Sequence, residues 1–457
     1  MGIGTIRLNE IRDEFKKIEK VLKNYETIDK AYEIKKDEFL SRQQTTYKTL
    51  KESGFDTGIV FSDQHYNGDV PYLGGNTNIS IEQVAGVIGK TGFHIVAGLE
   101  GGYIAEQLSP RSGSFVHKVE LLQLADEKYP IDAEKLEDVI KEANGGTEPD
   151  KIGLLTPRQV IPAGLTEYLE DYYGKSRIID SQHIYYKIKY EKSDAEMRLI
   201  RDANKIADAM IRGMLAVIKP GMLETQVAAW GNFIAKELGA EEMGWDIMAG
   251  SDTANRTLIG KALNRPIKKG EYVHLGVAPK RDGLNSCCRR SVIAVESPEE
   301  VTESQKFWFD FVEDAYNIGL QKYIEAAENN LPAKLQEQAL VDFFAARETE
   351  VSQKYGKDID LVSLKPYTGT HNAGYTECQE FYGAITLESD EPLGNQIVTM
   401  LDVAVRGVGN MWDDKIIHDM DFVVIENTLG KFGRNVEVLN KIPLNVQHLV
   451  GNVDELE

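Results

Sequence analysis

At 457 residues the chain has material for about two or three domains and a sizeable core, which excludes a disulfide-stapled mini-protein. Hydrophobic residues at 42% and charged residues at 27% form an ordinary globular balance, so neither wholesale disorder nor a membrane-embedded chain fits. A formal charge of -21, from 52 Lys and Arg against 73 Asp and Glu, repels phosphate backbones and anionic lipid and argues against nucleic-acid or membrane partners.

Three cysteines cannot all pair within one chain, and no apolar stretch near the N-terminus resembles a signal peptide, so the expectation is a reduced, cytoplasmic protein. Residues 8–39 mix Lys and Glu with Phe15, Ile18, Val21, Leu22 and Tyr25 at helical spacing and contain no Pro or Gly. This reads as a helical extension, residues 1–45. From Phe55 to about Ile179 short apolar runs (GFDTGIVFS, GFHIVAGLEGG, DKIGLLTP, SRIID) alternate with helix-like stretches, which predicts an α/β domain over residues 46–190. Its glycine patterns lack the Lys and Ser/Thr of a phosphate loop and the spacing of a dinucleotide fingerprint, so no nucleotide is assigned.

The third domain, residues 191–457, opens at Ser193, which stands three residues before Glu196 as a capping box. The helix that follows carries Met197, Ile200, Ala203, Ile206, Ala207, Met210 and Leu215 toward a core and stops at Pro220-Gly221. KPGMLETQVAAWGNFIAKE returns in outline as LPAKLQEQALVDFFAARE, and YVHLGVAPKRDGLN as IVTMLDVAVRGVGN. Two halves, each a helix pair followed by strands, predict a pseudo-symmetric α+β domain with one pocket between the halves.

The order of KSDAEMRLIRDANKIAD, the KPGM turn, NRPIKKGEYVHLG, the Arg290-Ser291 pair, GTHNAG, IVTM and VVIENT resembles the superfamily of creatinase, aminopeptidase P, prolidase and methionine aminopeptidase. The resemblance covers most of the chain. It implies a pita-bread C-terminal domain behind a creatinase-like α/β domain, a homodimer, and hydrolysis of C–N bonds.

Metal-dependent members of that superfamily carry two Asp, one His and two Glu as ligands. Matched residue by residue, the Asp positions fall on His274 and Cys287, the His on His371, and the Glu positions on Leu401 and Glu426. Asp402 stands one residue beyond Leu401, so a register shift of one restores a ligand there. The position of the usual catalytic His is Ile259, and that of a second pocket His is Cys378. One retained Glu cannot balance two divalent ions, which argues against a standard dinuclear peptidase.

The substitutes carry chemistry of their own. His274, Cys287, His371 and Glu426 form a mixed N, S and O set suited to one zinc or iron ion. His371, Glu426 and Cys287 are the catalytic candidates, and a thiolate of Cys287 or Cys288 beside Arg289-Arg290 is a possible nucleophile. Only one of the two vicinal thiols can face the pocket. Arg290 and Cys378 are candidates for substrate contact, as are His65, Tyr66 and Tyr72 in FSDQHYNGDVPYLGG. The expected function is an atypical hydrolase of a C–N bond in a small amide, amidino compound or short peptide. Its rival is a silent pita-bread chain that binds a peptide or protein partner.

Overall fold

The computed structural model describes residues 4–25, 27–123, 132–376, 380 and 382–454. The N-terminal apolar stripe forms two helices, α1 (Thr5–Lys23) and α2 (Lys36–Glu52), where the spacing predicts one extension. No Pro or Gly makes the break. The Asp29 side chain accepts from the Ala31 amide, at 3.2 Å, and its carbonyl accepts from Tyr32, so an Asp-centred turn competes with helix.

Different cores claim the two helices. The chain divides into one unit of residues 1–32, 192–373 and 383–457 and another of residues 33–191 and 374–382. Helix α1 therefore belongs to the larger unit and α2 to the smaller, and the first 45 residues do not form a body of their own. In the larger unit Ile18 enters the main core, and Trp230 donates to Glu14 of α1 at 2.8 Å.

The smaller unit is built on a six-stranded sheet with strands β1 (Thr57–Ser62), β2 (Val84–Gly89), β3 (Gly92–Ala97), β4 (Phe115–Lys118), β5 (Ile152–Leu154) and β6 (Ile178–Asp180) in the order β4-β3-β2-β1-β5-β6. The β3/β4, β1/β5 and β5/β6 pairs are parallel and the other two antiparallel. Strands buried on both faces explain the unbroken apolar runs in the sequence. Ile59, Phe61, Val87 and Val96 pack with Leu136, Val139 and Ile140 of the helix Leu136–Ala143.

The larger unit opens on α3 (Asp194–Val217), whose cap is reciprocal: the Glu196 amide donates to Ser193 Oγ at 3.1 Å and the Ser193 amide to Glu196 Oε2 at 2.8 Å. Helix α4 (Glu224–Leu238) pairs with α3, and α5 (Glu303–Asn329) with α6 (Lys334–Tyr355). Strands β7 (Met248–Ser251), β8 (Tyr272–Val277) and β9 (Cys288–Ile293) follow the first pair. Strands β10 (Thr370–Asn372), β11 (Gln396–Arg406), β12 (Phe422–Phe432) and β13 (Asn435–Val438) follow the second.

These strands lie in one sheet in the order β10-β11-β12-β9-β8-β7, with β13 paired to β12. The two halves meet at the β9/β12 pair, so the strand order reads outward from the seam as a repeat. That is the pseudo-symmetric α+β plan expected from the sequence.

Candidate active site

Strand register places the site. Arg289 of β9 pairs with Glu426 of β12, and Glu426 pairs in turn with Asp402 of β11. Directly paired residues share a face, so a guanidinium and two carboxylates stand in one row across three strands. Gly276 is the partner of Arg289 on β8, and a Cβ there would meet Arg289 Cγ at 3.3 Å and Trp245 at 3.0 Å. The missing side chain makes room for the arginine stem. His371 of β10, paired with Met400, brings an imidazole to the same acids.

Distances bind the row together. Arg289 Nη1 lies 3.1 Å from Asp402 Oδ2 and Nε lies 3.8 Å from Glu426 Oε2. Tyr367 donates its hydroxyl to Asp402 Oδ1 at 3.0 Å and accepts from Arg289 Nη1 at 3.2 Å. The second guanidinium nitrogen donates to the carbonyl of Leu258. Leu258 has φ +62°, a conformation that side-chain-bearing residues rarely adopt. His371 Nε2 is 3.5 Å from Glu426 Oε1, and its side chain is 18% exposed against 2% for Glu426. The imidazole is the solvent-facing edge of a buried acid pair.

The two acids are driven apart. Burial, and then the charge of Glu426, pushes Asp402 up against the pull of Arg289. Burial would also raise Glu426, but the adjacent His371 imidazole, 3.5 Å away, the charge of Arg289 and the Cys287 thiol together hold it below the ordinary range. The pair therefore gives up its two protons in separate steps, Asp402 near neutrality at about 7 and Glu426 well below it.

The vicinal residues now sort by face. Cys287 lies with Glu426, whereas Cys288 sits in the helix-side core among Ile206, Met210 and Val292, where burial pushes its thiol up to about 12. Cys288 is therefore an inert small hydrophobe. Arg290 is fully buried, and all five of its donors are spoken for, by the carbonyls of Pro443, Arg289, Glu426 and Ile442 and by Asn427 Oδ1. It clamps backbone and has no donor left for a substrate.

His274 is fully buried on β8. Asn255 gives its amide nitrogen to the Phe422 carbonyl, so its oxygen faces His274 Nδ1, 3.1 Å away, and we assign the imidazole proton to that nitrogen. Nε2 is left a buried acceptor with no hydrogen-bond partner among the described residues. Burial, then the charge of Arg289, pulls this histidine down to about 3, so it is neutral. Of the four residues proposed from sequence as metal ligands, His371, Cys287 and Glu426 gather around one carboxylate, and His274 is held by Asn255.

His65 and Tyr66 belong to the smaller unit. His65 is exposed, and Tyr66 is buried with its hydroxyl 3.2 Å from Asp69. Cys378 lies outside the described residues. Arg289 and Tyr367 were missed by the sequence reading; only the pairing of β9 with β12 could have singled out Arg289 over its neighbour.

Could the group hold an ion? One ligand atom from each of His371, Asp402 and Glu426 falls within 4.8 Å of the others, a suitable donor set. Arg289 already bonds one acid and neighbours the other, however, so the group as folded does not fit a divalent cation. A second group, His94, His117 and Glu142 in the smaller unit, meets the same distance criterion. There every imidazole nitrogen is already in a hydrogen-bonded line from Thr91 through His94 and His117 to Glu134, at 2.8, 2.9 and 2.9 Å.

A helix-pair-and-strand repeat behind an α/β domain, with acids and a histidine on one sheet face, is the pita-bread architecture. Residues 198–359 match the metallopeptidase family M24. The prolidase from Pyrococcus horikoshii superposes with a TM-score of 0.68 at 17% identity, over 90% of this chain and 100% of that one. The X-Pro aminopeptidase from Thermotoga maritima gives 0.69 at 16% identity, over 89% and 99%. In sequence, the Xaa-Pro dipeptidase of Pyrococcus horikoshii is 26% identical over 52% of this chain and 64% of its own length. The uncharacterized peptidase YqhT of Bacillus subtilis is 28% identical over 27% and 35%. The chain thus spans less than two thirds of these relatives in sequence. Its fold is thus the pita-bread fold of prolidase and X-Pro aminopeptidase, and the M24 match is confined to residues 198–359.

Proposed function

We propose that the chain is a hydrolase of the C–N bond in a short peptide, small amide or amidino compound, working from His371, Asp402 and Glu426. The observation that carries this reading is the gathering of one imidazole and two unlike carboxyls within 4.8 Å on a single sheet face. Its kinship with a peptidase family supports the same class of reaction.

The chemistry follows from the arrangement. His371 is exposed enough to meet water, its Nε2 facing Glu426 at 3.5 Å and its Nδ1 the Asn372 carbonyl at 3.3 Å. Turning away from that carbonyl frees Nδ1 to take the water's proton, and Glu426 stabilises the imidazolium that forms. The water oxygen bonds to the carbonyl or amidino carbon, and the C–N bond then breaks. Asp402, pushed up to about 7 and so part-protonated near neutrality, hands its proton to the departing nitrogen. Arg289 offsets the charge of the acid pair, and no step is routed through a metal ion. A homodimer in the cytoplasm accompanies this reading.

A second reading has one observation in its favour: Arg289 closes over the acids, as a site retired from catalysis to peptide or protein binding would allow. The test is a turnover screen of purified protein on Xaa-Pro dipeptides, other dipeptides, simple amides and amidino compounds, with mass detection of cleaved product. Turnover that falls by about 100-fold or more in His371→Ala supports the hydrolase. Saturable peptide binding with no cleavage across the panel gives the case to the silent binder.

A further inference from the structure

We propose that Arg289 is the resident cation of this site: its guanidinium balances Asp402 and Glu426 and keeps divalent metal ions out. This does not rest on the hydrolase reading, since metal affinity is measured without turnover. It also departs from the one-ion set expected from the sequence.

Four observations converge on it. Arg289 lies in register with both acids, which makes the arginine part of the sheet's own pairing scheme rather than a surface side chain folded inward. The guanidinium is buried and tied on several sides: Asp402 and Tyr367 share Nη1, the Leu258 carbonyl holds Nη2, and Phe422 lies under it with the ring centre 5.4 Å away. Leu258 delivers that carbonyl from a left-handed conformation that costs energy, and such strain persists only where the surroundings over-determine it. Gly276 keeps clear the space that the arginine stem crosses.

A divalent ion bound to His371, Asp402 and Glu426 would sit against this fixed positive charge in a water-poor interior. It would also compete for oxygens that already serve the guanidinium. Both effects lower metal affinity. Replacing Arg289 by an apolar side chain of similar length removes the repulsion and leaves the buried acid pair without a cation, which a divalent ion then supplies by displacing the Asp402 proton.

The experiment uses the full chain, purified without affinity-tag metal, titrated with cobalt(II) and zinc(II) by calorimetry and followed by the visible spectrum of bound cobalt. Wild type should bind no Asp402-dependent equivalent, judged against Asp402→Asn. Arg289→Met should gain one equivalent, bound about 100-fold or more tightly than by wild type, and Arg289→Met/Asp402→Asn should lose it. Metal taken up by His94 and His117 survives the Asp402 substitution and is subtracted by this design. The proposal is overturned if wild type binds an ion that Asp402→Asn abolishes, or if Arg289→Met binds no more tightly than wild type. Should Arg289→Met fail to fold, the wild-type and Asp402→Asn comparison still decides, with Arg289→Lys as the folded variant expected to gain some affinity because a shorter ammonium cannot reach both acids.

Discussion

Two clusters in this molecule have the composition of a metal or catalytic site, and they are chemically opposite. In the smaller unit, Thr91, His94, His117 and Glu134 pass hydrogen bonds end to end, and the buried His94 is neutral. In the larger unit, His371, Asp402 and Glu426 bring two carboxyls together in a buried row, and Arg289 stands among them to offset their charge. The first is satisfied from within, each of its ring nitrogens already hydrogen-bonded. The second holds two acids in unlike protonation states beside a part-exposed base, which is a poised arrangement. Proximity of His, Asp and Glu is therefore a weak sign of function. The better sign is charge that the fold has to manage.

The largest expected difference between the clusters is catalytic. Glu426→Gln should lower kcat by about 10²–10⁴-fold on any substrate the screen identifies, because His371 loses its orienting charge, whereas His94→Gln should leave turnover within about twofold. Equal losses from the two substitutions would erase the distinction. Steady-state kinetics on both variants, with circular dichroism to confirm folding, makes the measurement.

Next in size is a pH effect confined to the smaller unit. Burial, then the neighbouring His117, pulls His94 down to about 4. The unfolded chain binds this proton near pH 6.5, so the stabilisation is fully present above that value and is lost as pH falls toward 4, by about 3 kcal/mol in all. Hydrogen exchange of β3 amides should show protection falling over this window in wild type, and His94→Gln should flatten the change. An unaltered slope in the variant would mean that His94 is not held neutral.

The smallest expected effect concerns the end of the same line. Glu134 is half exposed and hydrogen-bonded to His117, so Glu134→Gln should cost only about 0.5–1 kcal/mol in urea unfolding. A loss of several kcal/mol would show that this cluster, too, depends on charge.

Much of the architecture was legible because local signals agreed with the tertiary outcome. The Ser193 and Glu196 cap, the stop before Pro220 and the two helix-pair-and-strand halves are short-range patterns that the fold keeps. His371 and Glu426 were also legible, and Asp402 was visible one position from Leu401. What escaped was parity. Cys287 and Cys288, or Arg289 and Arg290, differ only in which sheet face each takes, and that is fixed by pairing with a strand more than a hundred residues away. The N-terminal break escaped for another reason: an apolar stripe without Pro or Gly says nothing about which of two cores each half will join.

The discontinuity of the two units sets an order of events in synthesis. Residues 1–32 precede the rest of their unit, which begins at residue 192, so α1 must wait while the intervening 159 residues of the smaller unit are made. The smaller unit is also unfinished at that point, because residues 374–382 belong to it, and Glu380 supplies the second carboxylate, 3.0 Å from buried Lys189, beside Asp69 at 2.6 Å. The smaller unit lacks residues until the ribosome has passed residue 382, and the larger unit, which includes residues 383–457, is then still incomplete, with β10 made but not β11 or β12. The acid row is thus assembled only after residues 402 and 426 are made, and a nascent chain halted before them holds Arg289 with neither of its carboxylate partners. Such an intermediate needs protection from its own exposed apolar surface for most of its synthesis.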